Sequence, residues 1–488
     1  MRASRMPGER WWPVLGISLL AVLPCFWQPR LQAADLASHT YGVWLAQLIE
    51  QGKAPGLTLV SQTSNILFDL LLDGSVAGFG FGLGPRVAVA ACVLVLFWGS
   101  FRLAGQFMGD RPWFLVSSLL ILSYGWTLHY GLMNFYLGLG LAIWGMALCW
   151  ERPRWKVAAG AGLILLSLAA HPLPAAWATG LLAYSWVASR LQGNHGLWLL
   201  AAGILAIAGI RFYFTTNFQT LSAPPVVPVL PADQGWVFGI KYAAIALLLE
   251  VFWVFLLMRL VHLRGFGELI RGVPFQLFAL TMGFVLIMPT WIKISDSAAP
   301  LSYITDRMTL PAGILLCCVL APAKPLPWQK IGLHVLAGVF FVSLFIDARA
   351  LNRMERRMEE LMSTLPPAQR VVCSLDDPGI RIGLLKSICD RACIGRCFSY
   401  SFYEPSTLRF RIRPTGPSPV VETDHDRMTK LEDGGYVVRP EDLPMYQMAF
   451  RGGDLWLKPL KAGDVTSKIL ILASTPLLWG RAKPHTEH

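Results

Sequence analysis

Asp35 and His39 stand four residues apart in "DLASHTYGVW" (residues 35–44). On a helix that spacing puts both side chains on one face, one turn apart. A carboxylate so placed can take the proton of an acceptor hydroxyl, and an imidazole beside it can orient it, contact the acceptor or share a divalent metal. Taken alone, the pair also fits a helix N-cap and an interfacial His. Three further stretches carry polar groups beside aromatic ones: "HYGLMNFYLGLGLA" with His129, Asn134 and Tyr136, "AAHPLPAAW" with His171, and "YITDRMTLPAG" with Asp306 and Arg307. For Asn134 and Tyr136 the alternative to substrate contact is interfacial packing and helix capping.

The elements that must position these residues follow from composition. Of 488 residues, 54% are hydrophobic and 15% charged, and mean hydropathy is +0.49, so a water-soluble domain would expose too much apolar surface. The net charge of +12 comes from short Lys and Arg clusters between apolar runs. That pattern is a topology signal, and nucleic acid is not an expected partner. Eleven apolar stretches between residues 11 and 346 are candidate membrane spans. Numbered in order, they put fourteen Lys and Arg in the connections on the N-terminal side and six on the other. The bias predicts a cytoplasmic N-terminus, and an odd number of spans then puts everything after residue 346 outside. Residues 57–82 are apolar but carry Asp69 and Asp73. With the segment from 35 they read as helices in the outer interface. An N-terminal signal peptide ending near "LQAAD" is the competing reading, and its removal would spoil the charge bias.

The domain division expected is therefore 1–346 in the membrane, with interfacial helices at about 35–82, and 347–488 outside. "RALNRMERRMEELMSTLPP" has Leu351, Met354, Met358, Leu361 and Leu365 at helical spacing, which predicts an amphipathic helix stopped by Pro366 and Pro367. The runs "RVVCSL", "GYVVRP", "MYQMAF", "DLWLKPL" and "KILILAS" predict a small α/β or mainly β domain. Cys373, Cys389, Cys393 and Cys397 all fall there, and an oxidising compartment would make two disulfides of them with three connectivities open. A metal site from "CDRACIGRC" is the rival, and its spacing matches no common zinc pattern.

No nucleotide-binding loop, Rossmann fingerprint, nucleophile elbow or H-E-x-x-H occurs. With "DLASHTYGVW", "NFYLGLGLA", "AHPLP", "TDRMTLP" and the outer "CIGRCFSYSFYEPSTLRFRIR", the chain resembles the GT-C superfamily of integral-membrane glycosyltransferases, which includes protein O-mannosyltransferases, aminoarabinose transferases of lipid A and bacterial Rgt-like enzymes. The resemblance implies a GT-C-like polytopic α-helical fold of about eleven transmembrane helices in a bacterial inner membrane, with a periplasmic C-terminal domain. It implies inverting transfer of a sugar from a polyprenyl-phosphate-linked donor, a membrane lipid, to an unknown acceptor at the outer face. Asp35 is then the candidate base, and Arg307 the candidate ligand of the departing phosphate, since a guanidinium forks onto its oxygens and stays charged. A local ion pair with Asp306 or a snorkelling anchor is the other reading of Arg307. His39 and His171 rank as acceptor contacts or structural groups. Many members carry an acidic pair where this chain has Asp35 followed by Leu36. The resemblance fixes no cofactor and leaves a divalent metal, Mg or Mn, open. A lipid-linked glycan polymerase or ligase, a transporter or flippase of an envelope precursor, and a non-catalytic assembly role are the alternative functions.

Overall fold

The computed structural model describes residues 11–151, 153–191, 193–222, 231–294, 300–451 and 454–471. Helices dominate up to residue 363. They are α1 (Trp12–Phe26), α2 (Ala34–Glu50), α3 (Leu67–Met108), α4 (Val116–Ser123), α5 (Trp126–Tyr130), α6 (Met133–Trp150), α7 (Arg154–Ala170), α8 (Pro172–Ala188) and α9 (His195–Asn217). There follow α10 (Ile240–Arg264), α11 (Phe266–Arg271), α12 (Val273–Ile287), α13 (Ile304–Leu320) and α14 (Pro327–Ser363). Five of these, α3, α6, α9, α10 and α14, are long and apolar enough to cross a membrane, and α1 and α12 are shorter apolar helices. Helix α9 shows why water is the wrong solvent: none of its residues is buried, and Trp198, Leu205 and Phe212 are at least 70% exposed. An apolar surface of that extent belongs against lipid.

Three departures from the sequence reading shape the site. The interfacial segment and the span after it form one element, α3, bent at Gly80, whose φ of 72° and ψ of 173° interrupt the helix. The apolar run at 112–128 is not one continuous helix. It breaks between α4 and α5 at Gly125, where a Cβ would come within 2.9 Å of Gln234. The third departure is α14, which crosses residue 346 without a break. At about 1.5 Å per residue its 37 residues span about 55 Å, nearly twice a hydrocarbon core of about 30 Å. Its last turns bury Leu351, Met354, Met358 and Met362 against the C-terminal region before Pro366 and Pro367.

The C-terminal region is α/β. Its strands are β4 (Arg370–Val372), β5 (Leu375–Asp376), β6 (Phe398–Ser399), β7 (Ile412–Pro414), β8 (Met445–Arg451), β9 (Asp454–Pro459) and β10 (Ile469–Leu470); β1 (Leu57–Leu59), β2 (Gln219–Leu221) and β3 (Trp291–Lys293) precede them. A four-stranded sheet runs β6-β4-β8-β9, parallel except for the antiparallel pair β8 and β9. Helices α15 (Leu384–Ala392), α16 (Glu404–Thr407) and α17 (His425–Asp433) accompany it. Of the run "KILILAS", Ile469–Leu470 form β10, and residues beyond 471 lie outside the described residues. Of the four cysteines, Cys373 and Cys389 form a disulfide with Cα atoms 6.3 Å apart. The expected second disulfide is not formed: Cys393 and Cys397, one turn apart, are buried thiols, and Cys393 packs on Met362 at 3.7 Å.

This region is tied to the segment around Asp35. Strand β7 pairs antiparallel with β1, so residues 57–59 bond to residues 412–414. Arg391 donates to both oxygens of Glu355 on α14, at 2.7 and 2.8 Å, and to the Leu31 carbonyl at 3.0 Å. Gln32 donates to the same carboxylate at 2.7 Å. Ser38 of α2 donates to Asp390 at 2.7 Å, and Arg411 pairs with Asp73 at 2.8 Å. One buried apolar cluster therefore runs from the helices into the C-terminal region without interruption, from Ala21 to Ile471.

Candidate functional site

Helix α2 begins after the extended residue Ala33 and carries Asp35 in its first turn, where a carboxylate complements the positive end of the helix. Gly131, at φ 89°, holds the turn after α5 against that end. A Cβ there would lie 2.5 Å from the Asp35 nitrogen. One oxygen of Asp35 accepts from the Tyr403 hydroxyl at 2.7 Å, and the other lies 3.9 Å from His39 Nε2. His39 Nδ1 in turn lies 2.8 Å from Asp69 Oδ1 and 4.0 Å from Glu404 Oε1. Asn134 completes the chain. It donates to Asp69 at 3.0 Å and to the Asn65 carbonyl at 3.2 Å, and accepts from the Phe68 nitrogen at 2.8 Å.

The charges in this chain answer one another. Burial opposes a proton on His39, but Asp69, Asp35 and Glu404 overcome it and hold the imidazole pKa up at about 10. His39 is therefore an imidazolium at neutral pH. Burial pushes the Asp35 pKa up, and His39 and the Tyr403 hydrogen bond pull against that rise. Glu404, buried beside two other carboxylates, is pushed up to about 8, mainly by burial.

The second group of residues is built around Arg307. Tyr303 precedes α13 in the left-handed conformation, φ 58°, and its carbonyl accepts from Arg307 Nε at 3.1 Å. Ser302 accepts from Nη2 at 2.7 Å, and Nη1 lies 3.2 Å from His171 Nε2. His171 is the N-cap of α8, where its Nδ1 accepts from the Leu173 nitrogen at 3.2 Å. Asp306 makes no ion pair with Arg307 within 4.0 Å; backbone carbonyls hold the guanidinium instead.

Both groups line one cavity of about 1090 Å³ between the helical part and the C-terminal region, at the upper end of the volumes of small-molecule sites. Asp35, His39, Asn134, His171 and Arg307 all face it. Tyr136 does not: it is buried, and its hydroxyl donates to the Ser123 carbonyl at 2.8 Å where α4 ends. His129 is also buried away from the cavity, with Nδ1 2.7 Å from the Gln32 carbonyl.

Four residues of the site have no role from the sequence alone: Tyr403 and Arg409 line the cavity, and Asp69 and Glu404 lie behind it against His39. Asp69 was weighed only as a charge arguing against a span; Tyr403, Glu404 and Arg409 lie inside "CIGRCFSYSFYEPSTLRFRIR", which carried a resemblance but no roles. Their signal is polar residues set among aromatics, and nothing in the linear order ties them to residue 35.

A divalent metal finds no ready ligand set. Among the described residues no three His, Cys, Asp or Glu side chains converge on a metal position. Asp35, His39 and Asp69 are turned toward Tyr403, one another and Asn134. No protein-family model, no curated protein and no solved structure matches this chain.

Proposed function

We propose that this protein is an inverting GT-C-like glycosyltransferase that moves a sugar from a polyprenyl-phosphate-linked donor to an acceptor at the outer face of a bacterial inner membrane. In this reading about eleven segments span the membrane, the N-terminus is cytoplasmic and residues 347–488 face the periplasm. What carries the reading is one cavity that brings a half-buried carboxylate, Asp35, and a carbonyl-held guanidinium, Arg307, to the same space.

The chemistry follows from those two groups. The acceptor hydroxyl oxygen attacks the anomeric carbon from the face opposite the phosphate, and its proton goes to Asp35. The anomeric carbon–oxygen bond breaks, and its electron pair leaves on the phosphate. Arg307 meets that charge. Its Nε and one Nη2 donor are held by the Tyr303 and Ser302 carbonyls, and the remaining N–H groups are left for phosphate oxygens. Because the guanidinium is held before substrate arrives, little reorganisation is needed as charge develops. His39, anchored by Asp69, sets its positive charge beside Asp35 and favours the ionised base in a buried place.

The test compares surface glycans and glycolipids, by mass spectrometry, of a deletion strain rescued with the wild-type chain or with Asp35→Asn at equal expression. The deletion is expected to remove one sugar from a surface molecule, and Asp35→Asn to leave it missing. Full rescue by Asp35→Asn would move the case to a transporter or assembly role.

A further inference from the structure

Two helices that bear on the site begin without the usual means of fixing a helix start. Neither Gly125, before α5, nor Tyr303, before α13, caps its helix with its own side chain. In α13, Pro311 has no N–H to offer the Arg307 carbonyl, so the turn that carries Arg307 also lacks a helical bond. Such a turn is held by groups outside its own helix.

One side chain serves both helices. Gln234 stands in the short 3-10 turn Ala232–Gly235 and is fully buried. Its Oε1 accepts from the Thr127 nitrogen at 3.0 Å, in the first turn of α5. Its Nε2 donates to the Asp306 carbonyl at 3.2 Å and to Thr309 Oγ1 at 2.7 Å, and that hydroxyl donates to the same carbonyl at 2.8 Å. The acceptor of the amide thus goes to α5 and both its donors to α13. Gly125 leaves the room for it, since a Cβ there would come within 2.9 Å of Gln234 Cβ. The turn is itself clamped from the C-terminal region: Arg381 donates to the Asp233 and Trp236 carbonyls at 3.1 and 3.0 Å and to the Asp233 carboxylate at 2.9 Å. A buried amide with its bonds made is costly to displace, so it fixes what it touches.

Both helices meet the site. Helix α5 runs into Gly131, which packs directly on the Asp35 nitrogen, and α13 carries Arg307 beside the Asp306 whose carbonyl Gln234 holds. Gln234 itself does not line the cavity, so its effect on a ligand passes through these residues. We infer that Gln234 is a positioning residue for Arg307: it ties the first turn of α13 to α5 and so holds the guanidinium in place relative to Asp35. The inference rests on the transferase reading and adds to it the means by which the two groups keep their relation.

The experiment titrates farnesyl phosphate into the detergent-purified full-length protein by calorimetry and records each variant's unfolding midpoint alongside. Gln234→Met keeps the volume and removes all three bonds, and its affinity is expected to fall about tenfold. Arg307→Gln should fall at least as far, and the double variant should bind within about twofold of Arg307→Gln alone, because Gln234 acts through that arginine. Tyr136→Phe removes a buried bond away from the cavity and serves as the control for lost stability; it should bind as wild type does. Gly125→Ala keeps the amide but crowds it, and should weaken binding severalfold; it decides the matter if Gln234→Met does not fold. Wild-type affinity in Gln234→Met or, where that variant does not fold, in Gly125→Ala overturns the inference. So does an equal loss in Tyr136→Phe, or a full further loss when Gln234→Met is added to Arg307→Gln, since either makes the effect one of general stability. If wild type does not bind farnesyl phosphate, or Arg307→Gln leaves its affinity unchanged, the transferase reading fails and the inference with it. Binding that needs Arg307 but not Gln234 sinks the inference alone.

Discussion

At the scale of the residue, the site is a chain of hydrogen bonds and charges in which each group sets its neighbour's protonation. Tyr403 donates to Asp35, and that bond favours the carboxylate. Tyr403→Phe removes it, so the Asp35 pKa rises further and the acidic limb of the pH–rate profile moves to higher pH. Asp35→Asn removes the proposed base, and on that reading transfer falls at least about 100-fold. Glu404 gives a stability prediction with a definite sign. Its folded pKa of about 8 stands above the ordinary value of 4.5, so the folded state holds its proton more tightly than the unfolded chain does. That contribution is fully present below pH 4.5 and is lost as pH rises through 8. Glu404→Gln keeps the neutral form at every pH. Its unfolding midpoint should decline less than that of wild type between those two pH values, and parallel declines would refute the account.

At the scale of the element, α2 is the part everything else holds in place. Its first turn rests on Gly131, its middle on Asp390 of α15, and the segment before it on the Arg391–Glu355 pair. Glu355 is fully buried, accepts from Arg391 and Gln32, and lies 3.4 Å from the Arg30 guanidinium. Removing it leaves Arg391 buried without its anion. Glu355→Ala is expected to cost roughly 3–5 kcal/mol by chemical denaturation, whereas Glu355→Leu combined with Arg391→Met recovers most of that loss. If the double variant were as unstable as the single one, packing and not charge would be what the pair supplies.

At the scale of the whole molecule, the helical part and the C-terminal region share one apolar core, and the cavity lies where they meet. Neither part alone encloses it, since Asp35 and Arg307 come from one and Tyr403 and Arg409 from the other. In the proposed topology the cavity lies at the outer face of the membrane. Alkaline phosphatase fused after Ser363 is therefore expected to be active, and the same enzyme fused in the connection between α6 and α7 inactive. The opposite pair of results would invert the topology.

What the sequence determined by itself is what periodicity and composition encode: apolar helices, an amphipathic exit helix, a strand-bearing C-terminal region, and an Asp–His pair on one helix face. Those signals are local, set by repeats of 3.6 and 2 residues and by the solvent each segment needs. Asp35, His39, Asn134, His171 and Arg307 were legible because each stands out as a polar group in an apolar setting, yet Tyr136 looked the same and lies in the core. Only the tertiary structure decided which of them share a space. The contacts that do so join residues more than 300 apart, such as Tyr403 with Asp35 and Arg391 with Leu31. No periodicity carries such a pairing; it arises when the C-terminal sheet and its helices bury their apolar faces against α2 and α14. The same packing separated the four cysteines into one disulfide and two thiols, a choice their spacing left open.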